Sequence, residues 1–355
     1  MNILMPLCVA ALLAGLGLAS MPASAQAPRP SASGADLKDA APLSLQSQLG
    51  LSWTSGLEWE SLLHLRADTR GSAGSVVGVV EARVARHFFL DSDLRFSLTA
   101  GQMFLPTSLE AVDPLWQSRY TLNLSALNSW IAEEFRPIGI DAALRSAAET
   151  EYPWEVGVLG FGGNDAAGAL LAWRGFALHD RLSVTNEQLL LPALPSLADD
   201  GAFAGQNDSG TRPFGRDLDG RLGWAAHGRW GRADQFQLRG SIVDSRGDRG
   251  LHRGEYAWDT RFSLIGAQWQ PHPQLQLAAE WIHGRSGMGG IEQPAMVDID
   301  FNSSYALASW SPSEVWRWSL RWDLFDIEDR DLGPAENNSD HGKAATLSLL
   351  WAPLS

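Results

Sequence analysis

Cysteine is nearly absent from this chain of 355 residues; the only one is Cys8, in the N-terminal segment. Beyond that segment no disulfide framework and no thiol nucleophile can be built, which suits an oxidising compartment. Lysine is almost as scarce. Of 27 basic residues only Lys38 and Lys343 are lysine. Arginine usage of this kind has two readings: bidentate anion contacts in a pore, or a genome-wide codon preference. Long apolar runs are missing too. Past the N-terminus no stretch approaches the roughly 20 apolar residues that a spanning helix requires. No segment keeps a sustained helical period. Local catalytic motifs are also lacking. The eight histidines do not fall into a two-His-plus-carboxylate pattern. No Gly-x-Ser-x-Gly elbow occurs, and the Gly160–Gly163 and Gly287–Gly290 runs lack the Lys and Ser/Thr of a phosphate loop. The expectation is no metal, no cofactor and no enzymatic reaction. A Ser/His pair need not be close in sequence, so an outer-membrane hydrolase stays open as an alternative. The formal net charge of −14 argues against nucleic acid as a partner.

The N-terminus carries what an exported protein needs. Ile3 to Ala19 is nearly unbroken apolar sequence, and Ala23-Ser24-Ala25 is a small-x-small cleavage site. Residues 1–25 are expected to be a signal peptide, cleaved near Ala25. Residues 26–41 are rich in Ala, Pro and Ser and read as a flexible spacer. The remainder, 42–355, is expected to be one unit, either a soluble β-sandwich or an outer-membrane β-barrel.

That unit is striped. In Trp316-Arg317-Trp318-Ser319-Leu320-Arg321-Trp322-Asp323-Leu324, apolar and polar residues alternate strictly. Strand side chains alternate faces, so this segment has one greasy face and one ionic face. Tryptophan along the greasy face suits a strand with lipid outside and water inside. Leu57 to Arg66, Val80 to Val84, Leu94 to Gly101, Phe236 to Ile242, Leu275 to Ile282 and Thr346 to Trp351 alternate similarly. Weaker candidates lie at 43–53, 134–145, 153–161, 167–178, 220–230, 257–270 and 297–310. With 314–325 these make about 14 strands at roughly ten residues each. A transmembrane antiparallel β-barrel of about 14–16 strands would enclose a water-filled lumen. Ser125 to Glu134 is expected to form a short helix capped by Asn128 or Ser129. Residues 185–219 do not alternate; they are either a loop folded into the lumen or an ordinary surface loop.

Three stretches resemble the phosphate-selective porin O/P family. Gly101-Gln102-Met103-Phe104-Leu105-Pro106-Thr107-Ser108-Leu109-Glu110 resembles the end of an early strand. Glu134-Phe135-Arg136-Pro137-Ile138-Gly139-Ile140 resembles that family's return strand. Arg216-Asp217-Leu218-Asp219-Gly220-Arg221-Leu222-Gly223-Trp224 resembles its Asp-Gly-Arg entry to a mid-barrel strand. The resemblance implies an outer-membrane channel, commonly a trimer, that passes small anions such as phosphate. Phe104 and Leu105 stand where that family carries a lysine before the Pro of the first motif.

The functional expectation is passive diffusion of small hydrophilic solutes or ions across the outer membrane of a Gram-negative bacterium. Lipid and lipopolysaccharide are the expected surroundings, with divalent cations bridging surface carboxylates to anionic lipid. The inward residues expected to line the pore are Glu58, Glu60, Arg66, Glu81, Arg83, Arg95, Arg239, Arg317, Arg321 and Asp323. Both signs on facing walls set a transverse field that tunes ion preference. The competing expectation is an interaction barrel plugged by its long loop. At the C-terminus Ala352-Pro353-Leu354-Ser355 follows the last alternating run, where barrels usually end on an aromatic residue. Either a final hairpin is missing or Trp351 is the working end.

Overall fold

A computed structural model describes residues 45–71, 74–111, 115–206, 210–290, 296–331 and 337–352. The expected signal peptide, its cleavage site at Ala25, the 26–41 spacer and the Pro353 turn lie outside the described residues.

Alternation produces what it predicts. Thirteen strands form one antiparallel meander. They are β1 (Gln46–Ser55), β2 (Trp59–Gly71), β3 (Gly74–Phe89), β4 (Leu94–Gln102), β5 (Ile138–Ser146), β6 (Trp154–Gly162), β7 (Gly223–Gly231), β8 (Phe236–Asp244), β11 (Asp259–His272), β12 (Leu275–Met288), β13 (Val297–Trp310), β14 (Trp316–Asp329) and β15 (Asp340–Trp351). A two-residue-per-strand hairpin, β9 (Leu251–His252) and β10 (Glu255–Tyr256), stands apart between β8 and β11. Each strand pairs with its sequence neighbour, so this is an outer-membrane-type barrel sheet without crossovers. β1 and β15 run in the same sense, a consequence of the odd number of strands in the meander. No ladder joins them among the described residues.

One weak strand candidate fails. Residues 167–178 contain a helix, α2 (Ala169–Arg174), not a strand. Its Ala-Leu-Leu-Ala-Trp core is too uniformly apolar for period two to be distinguished from a buried helix. The other expected helix forms: α1 (Ala126–Glu134) is buried at every residue. Its cap is Ser125, whose side chain accepts the Asn128 N–H, so Asn128 and Ser129 are inside the helix. The sequence reading placed the cap too late because all three residue types can serve.

The two ends of the sheet differ. One end carries tight turns at 56–58, 90–93, 147–153, 232–235, 273–274 and 311–315. The other carries the long connections 103–137 and 163–222, which contain α1 and α2. Where they are described, these fold inward and make a plug. Leu127, Trp130, Ile131 and Trp173 share one core with wall residues Leu159, Phe262, Ile282 and Phe301. Trp130 meets Phe262 and Phe301 edge-on, with ring centroids 5.3 and 5.1 Å apart.

The outer face reads as lipid-facing. Trp316, Trp318, Leu320, Trp322 and Leu324 are 41–53 % exposed, whereas Ser319, Arg321 and Asp323 between them are at most 1 % exposed. Near the tight turns, exposed Trp53, Trp59, Trp230, Phe236, Trp269, Trp310, Trp316 and Trp351 form an aromatic girdle. A soluble sandwich would bury these faces against each other; here they point out.

Two backbone irregularities hold the plug's entrance. A bulge sets His64 opposite Glu81 but Leu65 opposite Val79, leaving Val80 unpaired. The Val80 carbonyl then accepts from Gln102 Nε2 and Arg136 Nη1, at 3.1 and 3.2 Å. Gly101, at φ +135°, ends β4 where the chain turns inward; a Cβ there would lie 2.1 Å from the Ala82 carbonyl oxygen.

Candidate solute path and plug anchor

Antiparallel registers place inward residues of neighbouring strands directly opposite each other. One such row runs Arg95–Arg145–Glu155–Arg229–Arg239 across β4 to β8. It continues through Gly266 to Glu280, Tyr305 and Asp323 on β11 to β14. The first half is basic and the second acidic.

In the basic half Glu155 is the lone carboxylate of the row. It takes Arg145 Nη2 at 2.5 Å and Arg229 Nη2 at 3.3 Å. Arg95 faces Arg145 directly, an arrangement that is destabilising without compensation. Arg95 has no hydrogen-bond or ion-pair partner among the described residues, and its Nε is buried. Arg239 reaches the plug, donating from Nη1 to the Ser108 carbonyl at 2.6 Å. Close by, Arg83 pairs with Glu60 at 3.2 Å. The arginines and Glu60 are part-exposed, so water reaches them, whereas Glu155 is buried between its arginines.

The acidic half is sealed by the plug. Arg321 is fully buried. Its Nη1 donates to Glu110 at 2.6 Å and its Nε to Asp323 at 2.8 Å. It also donates to Thr121 Oγ1 and to the Asn123 and Leu124 carbonyls, at 2.8, 2.8 and 2.9 Å. Asp323 accepts the Ala126 N–H at the start of α1. Glu280 accepts from Leu109 N–H, Asn128 Nδ2 and Tyr305 Oη, at 2.8, 2.9 and 2.6 Å. Gly266 makes room here: a Cβ would lie 2.7 Å from the Leu109 side chain. At the plug's other end Glu134 accepts the Leu170 and Leu171 N–H groups, which cap α2. Arg136 lies between the rings of Phe104 and Phe214, 4.2 and 4.5 Å from their centroids.

Residues 185–219 pack over this assembly where they are described. Thr185 N–H donates to the Val79 carbonyl, and Phe203 sits against Trp173 with centroids 5.9 Å apart. Asp165, Asp217 and Asp219 lie together beside them, with ligand-type oxygens within 4.8 Å of one another. Burial, and then the two neighbouring carboxylates, push the Asp165 carboxyl up to about 6, against the N–H bond from Leu218.

The ten residues read from sequence therefore separate. Glu60, Arg83, Arg95 and Arg239 lie on the half-buried inner wall, and Arg317 lies near the turn-side mouth. Arg66, Glu81, Arg321 and Asp323 also face inward, but the plug covers them. Arg66 pairs with Asp68 and donates to the Leu182 carbonyl, and Glu81 accepts the Phe104 N–H. Glu58, expected to line the pore, does not. It belongs to the exposed turn before β2, because the strand begins one residue later, at Trp59. Sequence reasoning missed Arg145, Glu155 and Arg229, which sit at alternate positions of β5, β6 and β7, and Glu110 and Glu280, which need the plug to acquire meaning.

No protein-family model matches the chain, and no curated protein does. Solved structures are similar only distantly, at low identity and with TM-scores of 0.40 or less. The outer membrane channel DcaP of Acinetobacter baumannii is 9 % identical, with 86 % of this chain and 84 % of that chain covered and a TM-score of 0.40. The loop L8 deletion mutant of OmpT, an outer membrane protein of Vibrio cholerae, is 7 % identical over 86 % and 90 % of the two chains, with a TM-score of 0.39. A Rh. blastica porin mutant is 7 % identical over 86 % and 89 %, with a TM-score of 0.31. At such distances function has to be argued from this chain's own residues.

Proposed function

We propose that the chain is an outer-membrane channel for passive diffusion of small hydrophilic solutes, with a preference for anions. The row Arg95–Arg145–Glu155–Arg229–Arg239 carries this reading. It sets four arginines against one glutamate on the wet part of the inner wall. Their field raises local anion concentration, and the proposed path follows that wall beside the tethered plug. Residues 185–219 act as the outer part of the constriction. Lipid and lipopolysaccharide surround the barrel, assembled as a homotrimer after removal of residues 1–25.

The test is planar-bilayer recording of the folded, full-length protein under a salt gradient. The expected result is discrete open steps and a reversal potential of anion-selective sign. Arg95→Gln combined with Arg145→Gln should shift it toward zero. An unchanged potential in that variant removes the selectivity argument. The second reading, a permanently plugged interaction barrel, is favoured by the apolar contacts of α1 with the wall. Folded protein that never opens decides for it.

A further inference from the structure

The turn-side mouth contains a separate recess between plug residues Arg119 and Tyr120 and the inner wall of β11 to β14. Its volume is about 190 Å³, the liquid share of about six water molecules. That is room for a solute of a few carbons. Among the described residues no carboxylate lines it.

Its chemistry is specific in two ways. The Arg317 guanidinium is held in place by the protein: Nη1 donates to the Arg119 carbonyl at 2.9 Å and Nε to Ser311 Oγ at 3.4 Å. It has no carboxylate partner among the described residues. A fixed, uncompensated guanidinium is a receptor for a carboxylate. Three glutamines supply the complement. Gln270, Gln274 and Gln276 turn their amide nitrogens to the backbone carbonyls of Pro273, Pro312 and Trp269, at 3.1, 3.2 and 3.2 Å. Among the described residues each amide oxygen is then left as an acceptor without a protein donor.

We infer that this recess binds a small hydroxycarboxylate. Its carboxylate meets Arg317 and its hydroxyls donate to the glutamine oxygens. An amino acid fits worse, because its ammonium would meet the Arg317 guanidinium with no acid among the described lining residues. A neutral polyol would leave the guanidinium without an anion. The site does not depend on an open pore, so it stands apart from the channel reading.

The experiment is calorimetric titration of the folded, full-length protein in micelles, with glycerate as the probe and acetate and glycerol as controls. Glycerate should bind saturably. Acetate and glycerol should each bind roughly tenfold more weakly or worse, since each lacks one class of contact. Arg317→Gln should weaken glycerate by a similar factor. Gln274→Glu, in an exposed turn that tolerates substitution, should weaken it through like-charge repulsion. Absence of saturable binding overturns the inference. So does acetate binding as tightly as glycerate, or unchanged affinity in folded Arg317→Gln. A protein that binds glycerate but never conducts refutes the channel and keeps the recess; one that conducts without binding does the reverse.

Discussion

Replacing Arg321 by methionine tests whether the plug is anchored as described. The guanidinium is fully buried. It satisfies two carboxylates and three plug acceptors at 2.6–2.9 Å. Methionine keeps much of the volume but strands Glu110 and Asp323 without a cation. Breaking a buried pair from one side costs about 3–5 kcal/mol, because an uncompensated charge stays in a poorly solvated place. The barrel ladder does not use this side chain, so the loss should fall on the plug. Denaturant unfolding in lipid vesicles should show the loss in that range, and bilayer recordings should show longer or larger openings as the plug around Glu110 and Thr121–Ala126 loosens. The triple change Arg321→Met, Glu110→Gln, Asp323→Asn removes the stranded charges and should recover more than half of the stability. A folded Arg321→Met protein with wild-type stability and wild-type gating refutes the anchor. A triple variant as unstable as the single refutes the electrostatic cause.

Leu320→Arg puts a charge on the outer face and should cost about 2–4 kcal/mol if that position lies near the bilayer midplane; Ser348→Arg on the inner face of β15 should cost far less by the same unfolding assay. Gly101→Ala meets the Ala82 carbonyl at 2.1 Å in a positive-φ conformation and should cost about 1–3 kcal/mol, whereas Gly160→Ala, with nothing within 4 Å, should be close to neutral. Asp165 gives a pH signature, because its folded value is raised from 3.8 to about 6. In strong acid both states are protonated and nothing is lost; between those values the unfolded chain releases its proton first, so rising pH destabilises the fold, and above about 6 the penalty is complete. Asp165→Asn keeps an acceptor for the Leu218 N–H and should therefore raise the unfolding midpoint at neutral pH while leaving it unchanged in strong acid; equal shifts at both would refute the assignment.

Period two made most of the barrel legible from sequence. The Trp316 to Leu324 stripe predicted its own two faces correctly because lipid outside and polar inside impose alternation at every step. The same rule failed at 167–178, where both faces of α2 are buried and no contrast survives to be read. Registers across strands were not legible at all. Arg95 looked like one inward arginine among several; only pairing with Arg145 and proximity to Glu155 make it part of a basic wall. Glu110 and Glu280 are 170 residues apart in sequence, and their shared contact with Asn128 exists only because the plug folds inward.

The net charge of −14 looks opposed to an anion path, and the placement of the acids removes the conflict. Glu110, Glu133, Glu134, Glu280 and Asp323 are buried among plug contacts, where arginine, Asn128 and backbone N–H groups hold them. They project little field into water. Other acids, such as Asp244, Asp259, Asp298 and Asp326, stand at or near the loop-side ends of their strands. On the proposed path a solute meets Arg83, Arg95, Arg145, Arg229 and Arg239 against Glu60 and the buried Glu155. Five positive charges against two negative ones set the local sign, and screening over about 8–10 Å keeps distant acids from reversing it. Summed charge describes the outside of such a protein; the register row describes its interior. Glu155→Gln is the discriminating change. It leaves the net charge almost untouched but removes the only carboxylate in the basic half of the row. Anion preference should increase measurably, and a reversal potential that follows net charge instead would show that the row does not set selectivity.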